Sequence, residues 1–444
     1  MLGMLKSHPM LSSFRKLVPE PIKYIYHTAQ ALTGALIFLF PSKRLKIIGV
    51  TGTDGKTTTV QLIHHILGES GKKVSMLSTV NAKIGDKVID TGLHVTTPDP
   101  FKVQALLNKM VKAGSEYVVL ETTSHGLAQG RVAFVDFLVG VITNVTHEHI
   151  DYHHSFDNYV NAKAKILNGV SYRILNYDDP SFGFLKERGT GQLVSFGLKE
   201  GADYRAQISN SGRGKLEIEL TYPDKKKKAS VGIKTNLFGS YNAYNILSAF
   251  IVCHLLSTEP KKITSLVATF SGVPGRMQFI DEGQNFDCVV DFAHTPASLK
   301  VALESLNKIK KGKIIAVFGS AGERDVEKRP AMGKIATELA DYSIFTAEDP
   351  RGEDVNKIID QISKGAESIG GIPNRTFWKI ANREEAINTA VQSLASGGDI
   401  VAIFGKGHEM SMNIKGREYP WSDEQVARSA IKTKLAKPKT QNVS

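Results

Sequence analysis

Only two cysteines occur in 444 residues, which leaves no disulfide framework to read. Cys253 and Cys288 stand in apolar contexts without metal-ligand spacing, so they read as buried thiols in a reducing compartment and zinc is not expected. A membrane-spanning run is missing as well. "TAQALTGALIFLFP" stays apolar over about 11 positions before Pro41, too short to span a bilayer comfortably. No small-residue cleavage signature comes after it, which argues against a signal peptide. No internal repeat is evident. The lysine run "PDKKKKAS" at 223–230 has no basic helix or aromatic platform beside it, so it reads as a solvated hairpin turn and no nucleic-acid partner is expected. What is present is 41% hydrophobic and 23% charged residues, as in a folded protein, with a formal charge of +12. That charge favours anionic partners without choosing among phosphorylated metabolites, membrane surfaces and nucleic acid.

The chain exceeds what one hydrophobic core usually supports. From about Leu45 its pattern is α/β: "LKIIGVTG", "EYVVLET" and "FLVGVITNV" read as buried parallel strands, and "KTTTVQLIHHILGES" and "FKVQALLNKMVKAG" as helices closing near Gly71 and Gly114. The alternating block at 200–235 suggests an antiparallel appendage. After "SGVPGRMQFIDEGQNFDCVVDFAHTP" a second α/β series begins, with strands at "KIIAVFGS", "YSIFTAE" and "IVAIFGKG". The fold class expected is therefore α/β. A central phosphate-loop domain with a mostly parallel sheet (45–275) precedes a C-terminal Rossmann-like α/β domain (276–432). A short apolar helical segment (1–44) comes first and a basic flexible tail (433–444) last. The first segment reads either as a helix packed on the main body or as an amphipathic element on a membrane surface, through residues 24–40.

The stretch "VTGTDGKTTT" comes after a strand and opens a helix, where backbone N–H groups wrap a polyphosphate and the helix dipole adds to their attraction. Lys56 would reach the terminal phosphates and the Thr57 hydroxyl could ligate Mg²⁺. The general Walker pattern wants a glycine where this chain has Val50, so the loop is a shorter relative. Glu121 ends a strand in "LETTSHGLAQGR", at the C-terminal sheet edge where open α/β folds bind ligands. "TNVTHEHIDYHHSFDNYVNAKAKIL" adds another strand end and then histidines, Asp151 and Lys163. That density suggests a second metal or phosphate contact, although His147, His153 and His154 taken singly read as surface or hydrogen-bonded side chains.

Together these motifs resemble the Mur ligase family, ATP-dependent amide-forming enzymes of peptidoglycan precursor synthesis, and most closely its UDP-N-acetylmuramoyl-tripeptide synthetase branch. The resemblance covers about residues 45–430. It implies that Gly52, Thr53, Asp54, Gly55, Lys56, Thr57 and Thr58 form the ATP loop, with Asp54 where Asn is usual. It implies Mg²⁺ sites, two ions in all, on Thr57, Glu121, His149 and Lys163. Lys163 falls on the lysine that relatives carry as a carbamate, which turns a cation into an anion able to position the second ion. Asn242, Asn245, Arg276 and Asp291 match nucleotide contacts. Lys56, Glu121, His149 and Lys163 are the expected catalytic set.

For the acceptor, a UDP-muramoyl-peptide, the resemblance implies contacts from Thr96, Thr97, Ser124 and Arg131. For the incoming free amino acid it implies Arg324, Gly405 and Glu409, and a selecting motif "EDPR" in which Glu348 and Asp349 replace Asp and Asn while Arg351 remains. Arg351 suits a side chain ending in a carboxylate, as in meso-diaminopimelate. The added charge of Asp349 would also suit the ammonium of lysine. The branch carries a full uridine-binding domain before the ATP loop, where here 45 residues precede Lys46. The acceptor's uridine end is then held differently, or the acceptor is presented at a membrane on a lipid carrier. A cytoplasmic monomer, free or at the inner membrane face, is the expectation. The alternatives weighed are a folylpolyglutamate synthetase-like ligase, a phosphate-loop ATPase acting as a switch, and a scaffold derived from a ligase. The chemistry implied is attack of the acceptor carboxylate on the γ-phosphorus of ATP, then displacement of phosphate by the amine, in a cleft between the two domains.

Overall fold

The computed structural model describes residues 20–85, 87–89, 96–146, 150–225 and 227–437, without the side chains of 20, 21, 150 and 151. The chain divides into two compact units: 1–209 with 217–235 and 241–270, and 271–444 with the short segments 210–216 and 236–240.

The first unit is built on one sheet. Its strands in chain order are β1 (Lys46–Thr51), β2 (Val74–Leu77), β3 (Ala82–Ile84), β4 (Lys87–Ile89), β5 (Tyr117–Glu121) and β6 (Phe137–Ile142). They continue as β7 (Tyr172–Asn176), β8 (Gln192–Gly197), β9 (Tyr204–Gly212), β10 (Lys215–Asp224) and β11 (Lys227–Thr235). The spatial order is β11-β10-β9-β8-β7-β6-β1-β5-β2-β3-β4. The pairs β2·β5, β5·β1, β1·β6, β6·β7, β7·β8 and β8·β9 are parallel. Helices on both faces require the inner strands to be apolar throughout, and β1, β5 and β6 bury Ile47, Ile48, Val50, Val118, Val119, Leu120, Val139 and Val141 completely. The alternating block at 200–235 is not a separate appendage. Its three strands extend the same sheet, because β9 pairs parallel to β8 and continues the ladder outward. The turn of the lysine run lies where expected, with Lys225 at φ 53° between β10 and β11.

The main sheet of the second unit has six strands among the described residues: β12 (Gln278–Ile280), β13 (Asp287–Asp291), β14 (Ile314–Phe318), β15 (Tyr342–Phe345), β16 (Phe377–Lys379) and β17 (Ile400–Phe404). Their order is β12-β13-β17-β14-β15-β16, all parallel except the edge strand β12. Cys288, Val290, Val317, Ile344, Val401 and Ile403 form its core with Ala427 and Ile431 of the helix Asp423–Ala436. That helix corrects one expectation: residues 433–436 are its last turn and not the start of a free tail. The Lys434 ammonium donates to the carbonyls of Val391 and Ala395 at 2.8 and 2.5 Å. The rest of the expected tail, 438–444, lies outside the described residues.

The segment before β1 holds a helix, Glu20–Ile37, packed against the helix Pro100–Lys112. No described helix is long and apolar enough to cross a membrane. Cys253 and Cys288 are free and buried, and burial pushes the Cys288 thiol up to about 12.

Candidate active site

In the first unit the candidate residues collect at the C-terminal edge of four adjacent parallel strands, β2, β5, β1 and β6. The chain leaves β1 at Thr51, turns through 52–55 and enters the helix Lys56–Glu69, so the first free amides of that helix face the loop. Two glycines make the turn. Gly52 has φ 156° and a Cβ there would lie 1.9 Å from Thr143 Oγ1; Gly55 has φ 81° and its Cβ would meet Asn245 Oδ1 at 2.2 Å. No side chain fits either place. The segment after β6 braces the loop: Asn144 Oδ1 accepts from the Asp54 amide at 2.8 Å and the Thr143 hydroxyl donates to the Asp54 carbonyl at 2.6 Å. Thr53 turns inward, its hydroxyl 3.0 Å from Tyr159 Oη. Lys56 folds back on the loop, with Nζ 2.8 Å from the Thr53 carbonyl. Thr58 lies in the helix's first turn, partly exposed.

Glu121, the last residue of β5, is fully buried. Its Oε1 accepts from the Thr57 hydroxyl at 2.9 Å and the Thr79 hydroxyl at 2.7 Å, and its Oε2 from the Thr79 amide at 2.8 Å. Lys163, 1% exposed, donates from Nζ to the Gly52 carbonyl at 2.6 Å and lies over the Tyr159 ring. Three of the four expected catalytic residues thus surround one loop. The fourth, His149, lies outside the described residues. Asn245 reaches the same loop through Thr59, whose hydroxyl is 3.4 Å from Asn245 Oδ1, and Asn242 holds the Asn245 amide at 2.8 Å.

A second network begins where the Thr79 and Thr96 hydroxyl oxygens lie 3.0 Å apart. The Thr123 amide donates to Thr97 Oγ1 at 3.0 Å, and the two hydroxyls are 3.2 Å apart. Arg131 donates from Nη1 to the Thr97 carbonyl and from Nε to Gln129 Oε1, both at 2.9 Å, and Gln129 donates on to Tyr152 Oη. Ser124 Oγ lies 3.1 Å from His153 Nε2. Thr96, Thr97, Ser124 and Arg131, the residues expected to meet the acceptor, therefore share one neighbourhood at the sheet edge. Thr123, Gln129 and Thr79 belong to it too, without a signal in the sequence. The first two stand inside "ETTSHGLAQGR", but nothing in the spacing separates them from their neighbours.

In the second unit the candidates again sit at strand ends. Asp291 closes β13, and its carboxylate accepts from the backbone amides of Met277 and Ala293 at 2.7 and 2.8 Å. The Arg276 guanidinium lies 4.4 Å over the Phe292 ring, with a buried Nε that donates to no acceptor among the described residues. Arg324 is exposed. After β15, Glu348 and Asp349 are buried. Gly405, at φ 110° after β17, makes room for Glu348: a Cβ would stand 2.8 Å from Glu348 Oε2, which accepts no hydrogen bond among the described residues. The Asp349 carboxylate accepts from Lys406 Nζ at 2.7 Å and from the Asn413 amide at 3.0 Å. Lys406 is completely buried and also pairs with Glu409 at 2.5 Å. Burial alone would lower its ammonium, but Glu409 and Asp349 hold it above its ordinary value. Asp349 thus has a cationic partner inside the protein, which it shares with Glu409. Arg351, half-buried and in the left-handed region at φ 52°, makes backbone hydrogen bonds with Asn413 and Lys415. Lys406 could have been picked out within "FGKGHEM". The buried pair Arg383–Asp423, 2.6 Å, carries no sequence signal, its partners being 40 residues apart.

Residues 50–253 match the Mur ligase middle domain and 275–407 the Mur ligase glutamate ligase domain. The chain is 37% identical over 413 residues to a UDP-N-acetylmuramoyl-L-alanyl-D-glutamate–2,6-diaminopimelate ligase of Geobacillus kaustophilus, covering 91% of this chain and 82% of the relative. It is 36% identical to the enzyme of that name from Syntrophomonas wolfei, covering 92% and 82%. A solved structure of a ligase of that name superposes with a TM-score of 0.62 at 30% identity, covering 88% of this chain and 79% of the other. An ADP complex of a MurF ligase from Thermotoga maritima, 17% identical, has a TM-score of 0.65 over 93% and 84% of the chains and shares the fold. On these grounds the chain belongs to the Mur ligase family.

Proposed function

We propose that this chain joins meso-diaminopimelate to the D-glutamate of UDP-N-acetylmuramoyl-L-alanyl-D-glutamate at the expense of ATP. The observation that carries the proposal is the meeting of Glu121, Thr57 and Lys56 on one phosphate loop at a sheet's C-terminal edge. A carboxylate does not react with an amine at neutral pH, because its oxygens are poor leaving groups. The acceptor's carboxylate attacks the γ-phosphorus, an acyl phosphate and ADP form, and the amine then displaces phosphate. Lys56 and the loop amides stabilise charge on the phosphoryl oxygens, and Lys56 needs only to leave the Thr53 carbonyl to do so.

Mg²⁺ fits this donor set. Thr57 and Glu121 offer adjacent hard oxygen donors, and among the described residues Glu121 accepts only from neutral groups, so a divalent cation would complete its charge. Bound there, the ion would neutralise phosphate oxygens. Lys163 as a carbamate, with His149, would supply the remaining protein ligands. The Thr96, Thr97, Thr123, Gln129 and Arg131 network is the acceptor's seat, with Arg131 suited to an anionic group. Arg351 is the group that selects the distal carboxylate of diaminopimelate, and the pairing of Asp349 with Lys406 makes it a poorer seat for the ammonium of a lysine side chain.

The test is phosphate release with ATP, Mg²⁺ and the UDP-muramoyl-dipeptide, comparing meso-diaminopimelate, lysine and glutamate. Diaminopimelate should stimulate release most, and ¹⁸O from the acceptor carboxylate should appear in the phosphate. Stimulation by glutamate alone would replace this reading with a folylpolyglutamate-type ligase, and phosphate free of label would exclude the acyl phosphate.

A further inference from the structure

The helix Glu20–Ile37 is packed inside out. Ala31 and Ala35 are 0% exposed, and Gly34 packs so closely that a Cβ would stand 3.0 Å from Gln104 Cβ. Its large apolar residues face away. Ile22, Ile25, Tyr26, Leu32, Leu36 and Ile37 recur at helical spacing along one stripe, and Ile25 and Ile37 are 67% and 59% exposed. Between Lys23 and Lys43 the sequence has no Asp, Glu, Lys or Arg. A helix that folds only to cover its own unit's core would turn the isoleucines and leucines inward and the alanines outward.

Charge says what the stripe meets. Residues 1–44 contain Lys6, Arg15, Lys16, Lys23, Lys43 and Arg44 against the single acid Glu20. Lys43 and Arg44 are exposed just past the stripe's C-terminal end, held by the Phe40 ring and the Phe38 carbonyl. A second copy laid on the stripe would bring cations against cations, whereas an anionic bilayer accepts both the apolar face and its basic flanks. The helix is too short and too polar at its start to cross. We propose that the stripe from Ile22 to Ile37 lies in the interface of an anionic phospholipid bilayer, with Lys43 and Arg44 at the headgroups. The other face of the same helix places Tyr24 against Gly130, one residue from Arg131, so the bilayer would lie next to the proposed acceptor seat.

The full chain should co-sediment with vesicles of phosphatidylcholine containing phosphatidylglycerol, and much less with phosphatidylcholine alone. Ile25→Glu with Leu36→Glu, both at exposed positions, should weaken that binding by at least about tenfold with an unchanged thermal midpoint. Lys43→Glu alone should weaken it about fivefold or more, and added salt should do the same. Absence of binding to the anionic vesicles overturns the proposal, as does equal binding by the double variant. A concentration-dependent dimer that the double variant abolishes, without vesicle binding by the wild type, would assign the stripe to a second copy instead.

Discussion

Glu121 and Asp423 are both carboxylates with no exposed surface, one in each unit, and they are satisfied in opposite ways. Asp423 accepts two bonds from the fully buried Arg383 guanidinium, at 2.8 and 2.6 Å, and a third from the Trp421 indole. Glu121 accepts three bonds from two threonines. Leaving a buried charge without a counter-charge is costly, so a protein that wanted only a strut would use the first arrangement. The second makes sense where the counter-charge arrives with a ligand.

The largest contrast should appear at Glu121. Glu121→Ala should lower kcat by about a thousandfold or more, the scale seen when a group stabilising transition-state charge is removed, while the thermal midpoint moves little. Arg383→Met should do the reverse. Removing one partner of a buried ion pair costs about 3–5 kcal/mol, to be read from urea unfolding of the second unit, with nucleotide affinity in the surviving folded protein unchanged. If Glu121→Ala proved the more destabilising of the two, the distinction between strut and site would fall.

How much of this could be read from sequence obeys the same division. The α/β class and the buried parallel strands were legible, because β1, β5, β6, β14 and β17 are short apolar runs bounded by turn residues. So was the phosphate loop, whose residues are contiguous and whose glycines have a steric reason. The three strands at 204–235 were misjudged, since alternation reports that a strand has two different faces and not which sheet it joins. The ionic framework was invisible. Lys406 meets Asp349 because β15 and β17 end on the same side of the second sheet, Arg383 meets Asp423 from the first turns of two helices, and pairwise charge placement over 57 and 40 residues leaves no local pattern.

Glu348 is an exception within the compensated region, and it supplies a pH test. Burial pushes its carboxyl above the ordinary range, although Lys328, Arg383 and Lys406 pull it back. The unfolded chain therefore ionises first as pH rises. Stability is lost between the ordinary carboxyl value and the raised one, and none of that loss occurs below both. Glu348→Gln cannot ionise, so its stability advantage over wild type should appear at about pH 8 and vanish near pH 4 in urea titrations. An advantage of equal size at both pH values would mean that packing and not ionisation is responsible.

The smallest effect expected is at Thr123, within the threonine network of the first unit. Its hydroxyl accepts from the Gly126 amide at 3.0 Å, capping the short helix Ser124–Ala128 that leads to Gln129 and Arg131. Thr123→Val keeps the shape and the amide that bonds Thr97 but removes the cap, worth about 1 kcal/mol. Because Arg131 is held by Gln129 and the Thr97 carbonyl, loosening the helix should raise KM for the muramoyl acceptor about fivefold and leave kcat within about twofold. Thr123→Ser, which restores the acceptor oxygen, should recover wild-type KM. If KM for ATP rose instead, Thr123 would belong with Thr57 and Glu121, and the boundary drawn between the phosphate loop and the acceptor seat would have to move.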